Sequence, residues 1–217
     1  MTVTRVIGRF FGGIINAIVG ALALSRVHPN VLTFIGLVIN IGAAVLLAAG
    51  RFRWAGAVII GAGLFDMVDG RVARETNRVT RFGGFFDSVL DRYSDLGLLI
   101  GLLVWYGSIG RFSYVVLTAV AMIACVMVSY VRARAENSIP MCKVGFMERP
   151  ERVVLVIIGA LFDRMAPVLW VIAVLGNLTV IHRMIFTWQE TERLEDAQLR
   201  AGKSRSRDKA DDKVEKP

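Results

Sequence analysis

Five aspartates lie inside two stretches of the sequence that are otherwise apolar. Acidic side chains in an apolar segment cost free energy to bury, so they usually mark a functional site. The first two are three residues apart and the other three follow every four residues, which places each set on one helix face. The five residues are Asp66 and Asp69 in the first stretch, and Asp87, Asp91 and Asp95 in the second.

The two sets of aspartates are expected to meet at one depth. Asp66 lies eight residues before Arg74, and Asp91 lies eight residues after Gly83. On a helix that rises about 1.5 Å per residue, both carboxylates lie about 12 Å inside the boundary. The short connection predicts antiparallel neighbouring helices whose carboxylates converge. Converging anions in a medium of low dielectric constant need cations, and oxygen ligands favour Mg²⁺ or Mn²⁺ over zinc.

Other roles for intramembrane aspartates make different predictions. Structural ion pairs with Arg71, Arg74 or Arg92 would account for two of the acids more readily than for all five. An ion-coupled transporter would hold such acids near the bilayer midplane, on broken helices of repeated halves. The sequence contains no such repeat. A nonenzymatic scaffold would tolerate replacement of all the aspartates.

The aspartates belong to a chain whose composition suits a membrane. Of its 217 residues 55% are hydrophobic, and the mean hydropathy is +0.56. A soluble domain of this size needs less apolar surface. The apolar residues come in blocks of about 20, the length that crosses a hydrocarbon core. We therefore predict an all-α integral membrane protein with six transmembrane helices at roughly 31–50, 54–74, 83–106, 112–135, 150–163 and 165–187.

The segments on either side of these spans predict two peripheral elements. Residues 1–28 mix apolar residues with glycines and arginines, which is typical of an amphipathic juxtamembrane helix. Residues 29–188 form the membrane domain. Residues 189–217 are charged and poor in apolar side chains, which predicts a cytoplasmic tail that is helical in part and then disordered.

The distribution of Lys and Arg predicts the orientation. If both termini are cytoplasmic, the other side keeps only Arg51, Arg53, Arg111 and Arg164 near the ends of the spans. The positive-inside rule therefore predicts a multi-pass plasma-membrane protein with both termini and the aspartates on the cytoplasmic side. The net charge of +8 serves this anchoring. No nucleic-acid partner is expected, because no basic stripe with interleaved aromatics lies outside the spans.

The segment from Asp66 to Asp91 has the pattern DxxDGxxAR, eight residues, GxxxDxxxD. All eight fixed positions resemble the signature of the CDP-alcohol phosphotransferase family. The six-span plan resembles that family as well, up to about Trp188. The resemblance implies an enzyme that transfers the phosphatidyl group of CDP-diacylglycerol to an alcohol and releases CMP.

The resemblance also implies roles for single positions. Asp66, Asp69, Asp87 and Asp91 would hold two divalent ions, Mg²⁺ or Mn²⁺, on the pyrophosphate of the donor. Asp91 would also be the general base that takes the proton of the acceptor hydroxyl. Asp95, outside the signature, is expected to hydrogen-bond a ligand carboxylate or an arginine.

Other matched positions would meet the nucleotide part of the donor. Small residues let it approach the backbone, and polar or cationic groups bind it. The positions are Asn30, Thr33, Gly70, Ala73, Arg74 and Gly83. For the segment from His28 to Thr33, a simple helix start is an equally good explanation.

Three arginines at the ends of later spans bear on the acceptor. The segments around Arg132, Arg152 and Arg183 resemble those of bacterial family members that make phosphatidylinositol phosphate and of their archaeal ether-lipid counterparts. The resemblance implies that these arginines cradle the phosphate of inositol phosphate, with Arg152 near the cytoplasmic mouth; glycerol phosphate is the alternative acceptor. Arg132 departs from the Lys common in those members. For Arg134 and Arg149, as for any single arginine of these loops, a positive-inside charge is an equally good explanation.

A homodimer through the transmembrane helices is also expected. The family resemblance is one reason. The other is a group of small residues that permit close contact between helices, namely Gly36, Gly42, Ala43 and Ala44.

Overall fold

The computed structural model describes the backbone of residues 29–75 and 80–214, and the side chains of residues 30–66, 80–197 and Leu199. Within these ranges every regular element is a helix, no strand occurs, and residues 136–148 form a non-helical connection. The helices are α1 Pro29–Ala48, α2 Phe52–Glu75, α3 Arg81–Ser108, α4 Phe112–Ala135, α5 Arg149–Leu161 and α6 Met165–Val214. The amphipathic helix predicted at 1–28 lies outside the described residues.

Each predicted span coincides with one helix, and the all-α prediction is confirmed. In the described part of the chain, the helices long and apolar enough to cross a membrane are Asn30–Ala48, Phe112–Ala135 and Met165–Ala197. Helix α3 carries three aspartates and Arg92. Helix α5 has 13 residues, about 20 Å of rise against a hydrocarbon core of about 30 Å. The count of six complete spans stays a prediction.

The last helix corrects the predicted C-terminal tail. Helix α6 runs without interruption from Met165 to Val214, so the expected change from partial helix to disorder does not occur before residue 215. After Trp188 the sequence contains no proline and a single glycine, Gly202, before Val214. It is rich in Glu, Gln, Arg, Lys and Ala, which favour helix even where no apolar face is buried.

The packing order differs from the expected pair of neighbouring aspartate helices. Helix α1 packs against both α2 and α3, and within the described residues α2 and α3 make no extended contact with each other. Helix α5 packs against α2 and α6, and α4 packs against α3 and α6. A Cβ on Gly101 of α3 would overlap the carbonyl oxygen of Ala44, which shows how closely α1 and α3 cross. The aspartate helices therefore face a cleft rather than each other.

Three of the small residues assigned to a dimer contact serve packing within the chain. A Cβ on Gly36 would lie 3.0 Å from Oδ1 of Asp66. Ala43 is fully buried in the core, and Ala44 contacts Gly101. Gly42 is exposed, with nothing within 4 Å of a Cβ placed on it. The homodimer stays a prediction, but these residues are a poor argument for it.

Candidate active site

The aspartates of α2 and α3 meet at one guanidinium group. Nη2 of Arg149 lies 2.8 Å from Oδ2 of Asp66 and 2.9 Å from Oδ1 of Asp91. Nε of Arg149 lies 3.6 Å from Oδ1 of Asp95. Arg149 is the first residue of α5, so a third helix supplies the cation. The structure brings Asp66 and Asp91 to one point, and it gives Arg149 specific partners beyond the role of a positive-inside charge.

The oxygen atoms at this point suit a hard divalent cation. Two carboxylate oxygens from different helices lie within 2.9 Å of a single nitrogen atom, so one small cation can reach both. Asp87 lies one turn before Asp91 on α3 and is partly buried. Among the described side chains no three metal-binding groups surround a common point. Asp69 lies one turn after Asp66 on α2, and its side chain is outside the described residues.

A buried ion pair lies one helical turn beyond Asp91. Nη2 of Arg152 donates to Oδ2 of Asp95 at 2.6 Å, and the two side chains are 4% and 6% exposed. Nη1 of Arg152 donates to the carbonyl oxygen of Met147. The expectation that Asp95 hydrogen-bonds an arginine is confirmed. Arg152, however, is not an open group at the mouth of the site, because its side chain is almost fully buried in this ion pair.

The predicted base and the three predicted acceptor arginines line one cleft. Its volume is about 510 Å³, which is in the range of small-molecule sites. Asp91 and Arg92 of α3 form one wall, and Arg132 of α4 forms another. The remaining charged groups come from the C-terminal end of α4, the start of α5 and α6, and they are Glu136, Glu148, Arg149, Arg152 and Arg183. Residues separated by about 90 positions in the sequence are thus collected around one volume.

Glu148 lies between two of these arginines and was missed by sequence reasoning. Its Oε1 lies 3.2 Å from Nη1 of Arg132 and 3.0 Å from Nη2 of Arg183. The guanidinium of Arg183 also donates to the carbonyl oxygens of Val144 and Val128, at 2.8 and 2.6 Å. The sequence signal that could have identified Glu148 is its position beside Arg149, just before Pro150 at a helix start. The sequence does not reveal that the two side chains point to different groups.

Three of the residues predicted to bind the nucleotide lie near the N-terminal ends of α1 and α3, namely Asn30, Thr33 and Gly83. The amide of Gly83 donates to Oγ1 of Thr80, the N-cap of α3, at 2.9 Å. A Cβ on Gly83 would lie 3.0 Å from that oxygen and 3.4 Å from Oδ1 of Asn30. Thr33, one turn after Asn30, is buried. The start of α1 at Pro29 agrees with the helix-start explanation of this segment.

The other predicted nucleotide positions lie on the last turns of α2. Their backbone is helical, and their side chains are outside the described residues. They are Gly70, Ala73 and Arg74. Thr80 was missed, although a threonine before a helical segment is a common N-cap signal.

A second, mostly apolar cleft of about 390 Å³ approaches the aspartates from another side. Asp66, Asp95 and Arg149 contribute polar groups to its lining, and Arg149 and Pro150 also line the cleft around Asp91. Most of the lining consists of apolar side chains of α2 and α5, among them Ile59, Ile60, Leu64, Val153, Val154 and Ile157. One polar and one apolar cleft therefore adjoin the start of α5.

An all-helical fold with aspartates of two helices at one point, between a polar and an apolar cleft, agrees with the class that the signature indicates. The CDP-alcohol phosphatidyltransferase family model matches residues 26–190, and the chain belongs to this family. It is a multi-pass membrane enzyme of the phosphatidyltransferase class. The family resemblance of the signature is confirmed.

Individual relatives are similar over most of their length. The phosphatidylinositol phosphate synthase of Mycobacteroides abscessus is 36% identical over 184 residues, 80% of this chain and 83% of that protein. The archaetidylinositol phosphate synthase of Methanothermobacter thermautotrophicus is 38% identical over 164 residues, 73% of this chain and 82% of that protein.

Solved structures show the same fold. The crystal structure of Mycobacterium tuberculosis phosphatidylinositol phosphate synthase with CDP-DAG bound has a TM-score of 0.76 and 31% identity, and the match covers 81% of this chain and 94% of that one. The same enzyme in complex with manganese and citrate has a TM-score of 0.74 and 31% identity, and covers 80% of this chain and 88% of that one.

Proposed function

We propose that this enzyme transfers the phosphatidyl group of CDP-diacylglycerol to inositol phosphate, forming phosphatidylinositol phosphate and CMP. The observation that carries the proposal is the single cleft that Asp91 shares with Arg132, Arg152 and Arg183. A phosphorylated alcohol needs both a base for its hydroxyl and cations for its phosphate, and this cleft offers both. The names of the relatives in Mycobacteroides and Methanothermobacter support the same acceptor.

The reaction needs one proton transfer and one substitution at phosphorus. The acceptor hydroxyl oxygen attacks the phosphorus that bears the diacylglycerol, the bond from that phosphorus to the CMP oxygen breaks, and CMP leaves. Asp91 takes the hydroxyl proton as general base. Its carboxylate is suited to this task because it lies on the cleft wall that faces the arginines, where it can reach an acceptor whose phosphate they bind.

The carboxylates would bind two divalent ions, Mg²⁺ or Mn²⁺. When bound at Asp66, Asp69, Asp87 and Asp91, such ions neutralise the pyrophosphate of the donor and the leaving CMP. Oxygen donors on two helices and the manganese complex of the Mycobacterium tuberculosis relative support this assignment. Arg149 joins two of these carboxylates, Asp66 and Asp91, and its guanidinium is close enough to bind a phosphate once it leaves them.

The two substrates would enter by different clefts. The apolar cleft between α2 and α5 suits the diacylglycerol part of the donor, because it ends at Asp66 and Arg149. Asn30, Thr33, Gly70, Ala73, Arg74 and Gly83 would then meet the nucleotide. The polar cleft suits a soluble phosphorylated alcohol. We further propose that this cleft and both termini face the cytoplasm of the plasma membrane, and that the enzyme works as a homodimer among membrane lipids.

A direct comparison of acceptors tests the proposal. Purified protein is given CDP-diacylglycerol with Mg²⁺ or Mn²⁺, and CMP release is measured with inositol phosphate, inositol and glycerol phosphate. We expect turnover with inositol phosphate and little with inositol, which lacks the phosphate that the arginines bind. If glycerol phosphate were turned over faster than inositol phosphate, the enzyme would be a phosphatidylglycerophosphate synthase. Metal-dependent binding of CDP-diacylglycerol without CMP release for any acceptor would contradict the assigned reaction.

A further inference from the structure

We propose that Glu148 is an internal competitor in the acceptor site. Its carboxylate occupies the place of the acceptor's phosphate and is displaced when that phosphate binds. This inference rests on the proposed function for the identity of the acceptor. Its physical basis is independent of that identity, since it concerns an anion held between two arginines. Any ligand with a phosphate monoester of suitable size would meet the same groups.

The contacts of Glu148 resemble those that a phosphate would make. Both arginines approach the same atom, Oε1, at 3.2 Å from Arg132 and 3.0 Å from Arg183. Charge-assisted hydrogen bonds of guanidinium groups to carboxylate and to phosphate are alike in chemistry. A phosphate monoester carries more negative charge and offers three acceptor oxygens, so it can replace the carboxylate at both arginines.

The carboxylate is the partner that can move. The Arg183 side chain is 1% exposed and is fixed by the carbonyl oxygens of Val144 and Val128. The Glu148 side chain is 41% exposed. Rotation of Glu148 toward solvent therefore frees Nη2 of Arg183 without disturbing the bonds that hold this arginine in the core.

The backbone position of Glu148 also indicates a role outside helix stability. Glu148 is the N-cap residue of α5, yet its side chain makes no capping hydrogen bond. Side chains at this position commonly accept from an amide of the first turn. Here the carboxylate contacts the arginines of α4 and α6 instead, so its contribution lies in the cleft.

Displacement of Glu148 lowers the affinity of the site for phosphate. The phosphate must replace an anion that the protein already holds, so the observed affinity is lower than the arginines alone would give. A neutral alcohol has no group for the arginines and does not displace Glu148. Arg132 keeps a second partner, Glu136 at 3.1 Å, and so remains oriented when Glu148 leaves.

Binding of anions to a charge-neutral variant tests the proposal. Glu148→Gln keeps the side-chain shape and removes the charge. Titration calorimetry in metal-free buffer would measure binding of inorganic phosphate, inositol phosphate and inositol. We expect the dissociation constants of both phosphates to fall about tenfold, because a neutral amide competes less well than a carboxylate for the two arginines. The constant for inositol should stay the same.

Glu151→Gln is the matched control. Glu151 is exposed in the first turn of the same helix and lies outside the lining of the cleft, so its loss should leave phosphate binding unchanged. Thermal unfolding shows whether each variant is folded. If Glu148→Gln does not fold, Glu148→Asp is used, because a side chain shorter by one methylene reaches the two arginines less well and should also tighten phosphate binding.

The possible results separate this inference from the proposed function. Unchanged or weaker phosphate binding in folded Glu148→Gln would overturn it, because the carboxylate would then not compete with phosphate. Equal tightening for inositol would also overturn it, since Glu148 would then obstruct the cleft as a whole. Wild-type protein that does not use inositol phosphate in the turnover assay would reject the proposed acceptor. Tighter binding of inorganic phosphate by Glu148→Gln would still support the role of Glu148.

Discussion

The candidate active site has an acidic half and a basic half, and two consecutive residues, Arg149 and Glu148, place one opposite charge in each half. In the acidic half, Arg149 joins Asp66 and Asp91. In the basic half, Glu148 joins Arg132 and Arg183. The start of α5 therefore supplies a cation to the carboxylates and an anion to the arginines.

The two halves differ in how they are held. The groups of the acidic half are all partly exposed, and α2 and α3 do not pack on each other within the described residues. In the basic half, Arg183 is anchored to backbone carbonyls, and the adjoining Arg152 is buried in its ion pair with Asp95. Changes in the acidic half should therefore affect mainly chemistry, while changes near the basic half should affect folding as well.

The largest effect is expected from Asp91→Asn in the acidic half. The amide cannot accept the hydroxyl proton, so CMP release should fall about a hundredfold to ten-thousandfold. Binding of CDP-diacylglycerol and the thermal unfolding temperature should stay close to those of the wild type. A variant with near-normal turnover would show that another group is the base.

Arg152→Ala should mainly reduce stability. It leaves the buried Asp95 carboxylate with only the more distant Nε of Arg149, 3.6 Å away, so the loss of unfolding free energy should approach that of a broken buried pair, about 3–5 kcal/mol. Denaturation in mild detergent would measure the loss. A double variant, Arg152→Met with Asp95→Leu, should recover much of it, because both charges are then absent. If Arg152→Ala were as stable as the wild type, changes near the basic half would not affect folding more than changes in the acidic half.

Arg132→Ala should separate binding from folding within the basic half. The Arg132 side chain is 36% exposed and pairs with Glu136 and Glu148 on the cleft wall. Loss of one charge-assisted hydrogen bond should raise the Michaelis constant for inositol phosphate about tenfold. The constant for CDP-diacylglycerol and the unfolding temperature should change little. Equal weakening of both substrates would indicate a general distortion of the site.

The smallest effect is expected from Arg149→Gln on metal binding. The variant removes the cation that competes for Asp66 and Asp91, so direct titration should show Mn²⁺ binding about two- to fivefold tighter, as for a partly exposed ion pair. Arg164→Gln, an exposed change outside both clefts, is the control. Weaker Mn²⁺ binding in folded Arg149→Gln would mean that the arginine orients the carboxylates rather than competing for them.

Much of the fold and the acidic half could be predicted from the sequence. Apolar blocks and breaks such as Pro29 indicate helices because length and hydropathy act locally. The four-residue spacing of Asp87, Asp91 and Asp95 places them on one face of any helix. The family signature identified the reaction class for the same reason, since its residues lie close together along two helices.

The tertiary structure decided which charges meet. Arg134 and Arg149 both lie at the end of a predicted span, so the sequence does not distinguish them. In the structure Arg149 contacts the aspartates, whereas Arg134 is exposed on α4. Arg152 was predicted at an open mouth and instead lies in a buried ion pair with Asp95 of α3. Helix α1 packs against both aspartate helices, which make no extended contact with each other within the described residues. Such contacts depend on how helices that are distant in the sequence pack together. The spacing of residues along one helix therefore does not predict which charged side chains will pair.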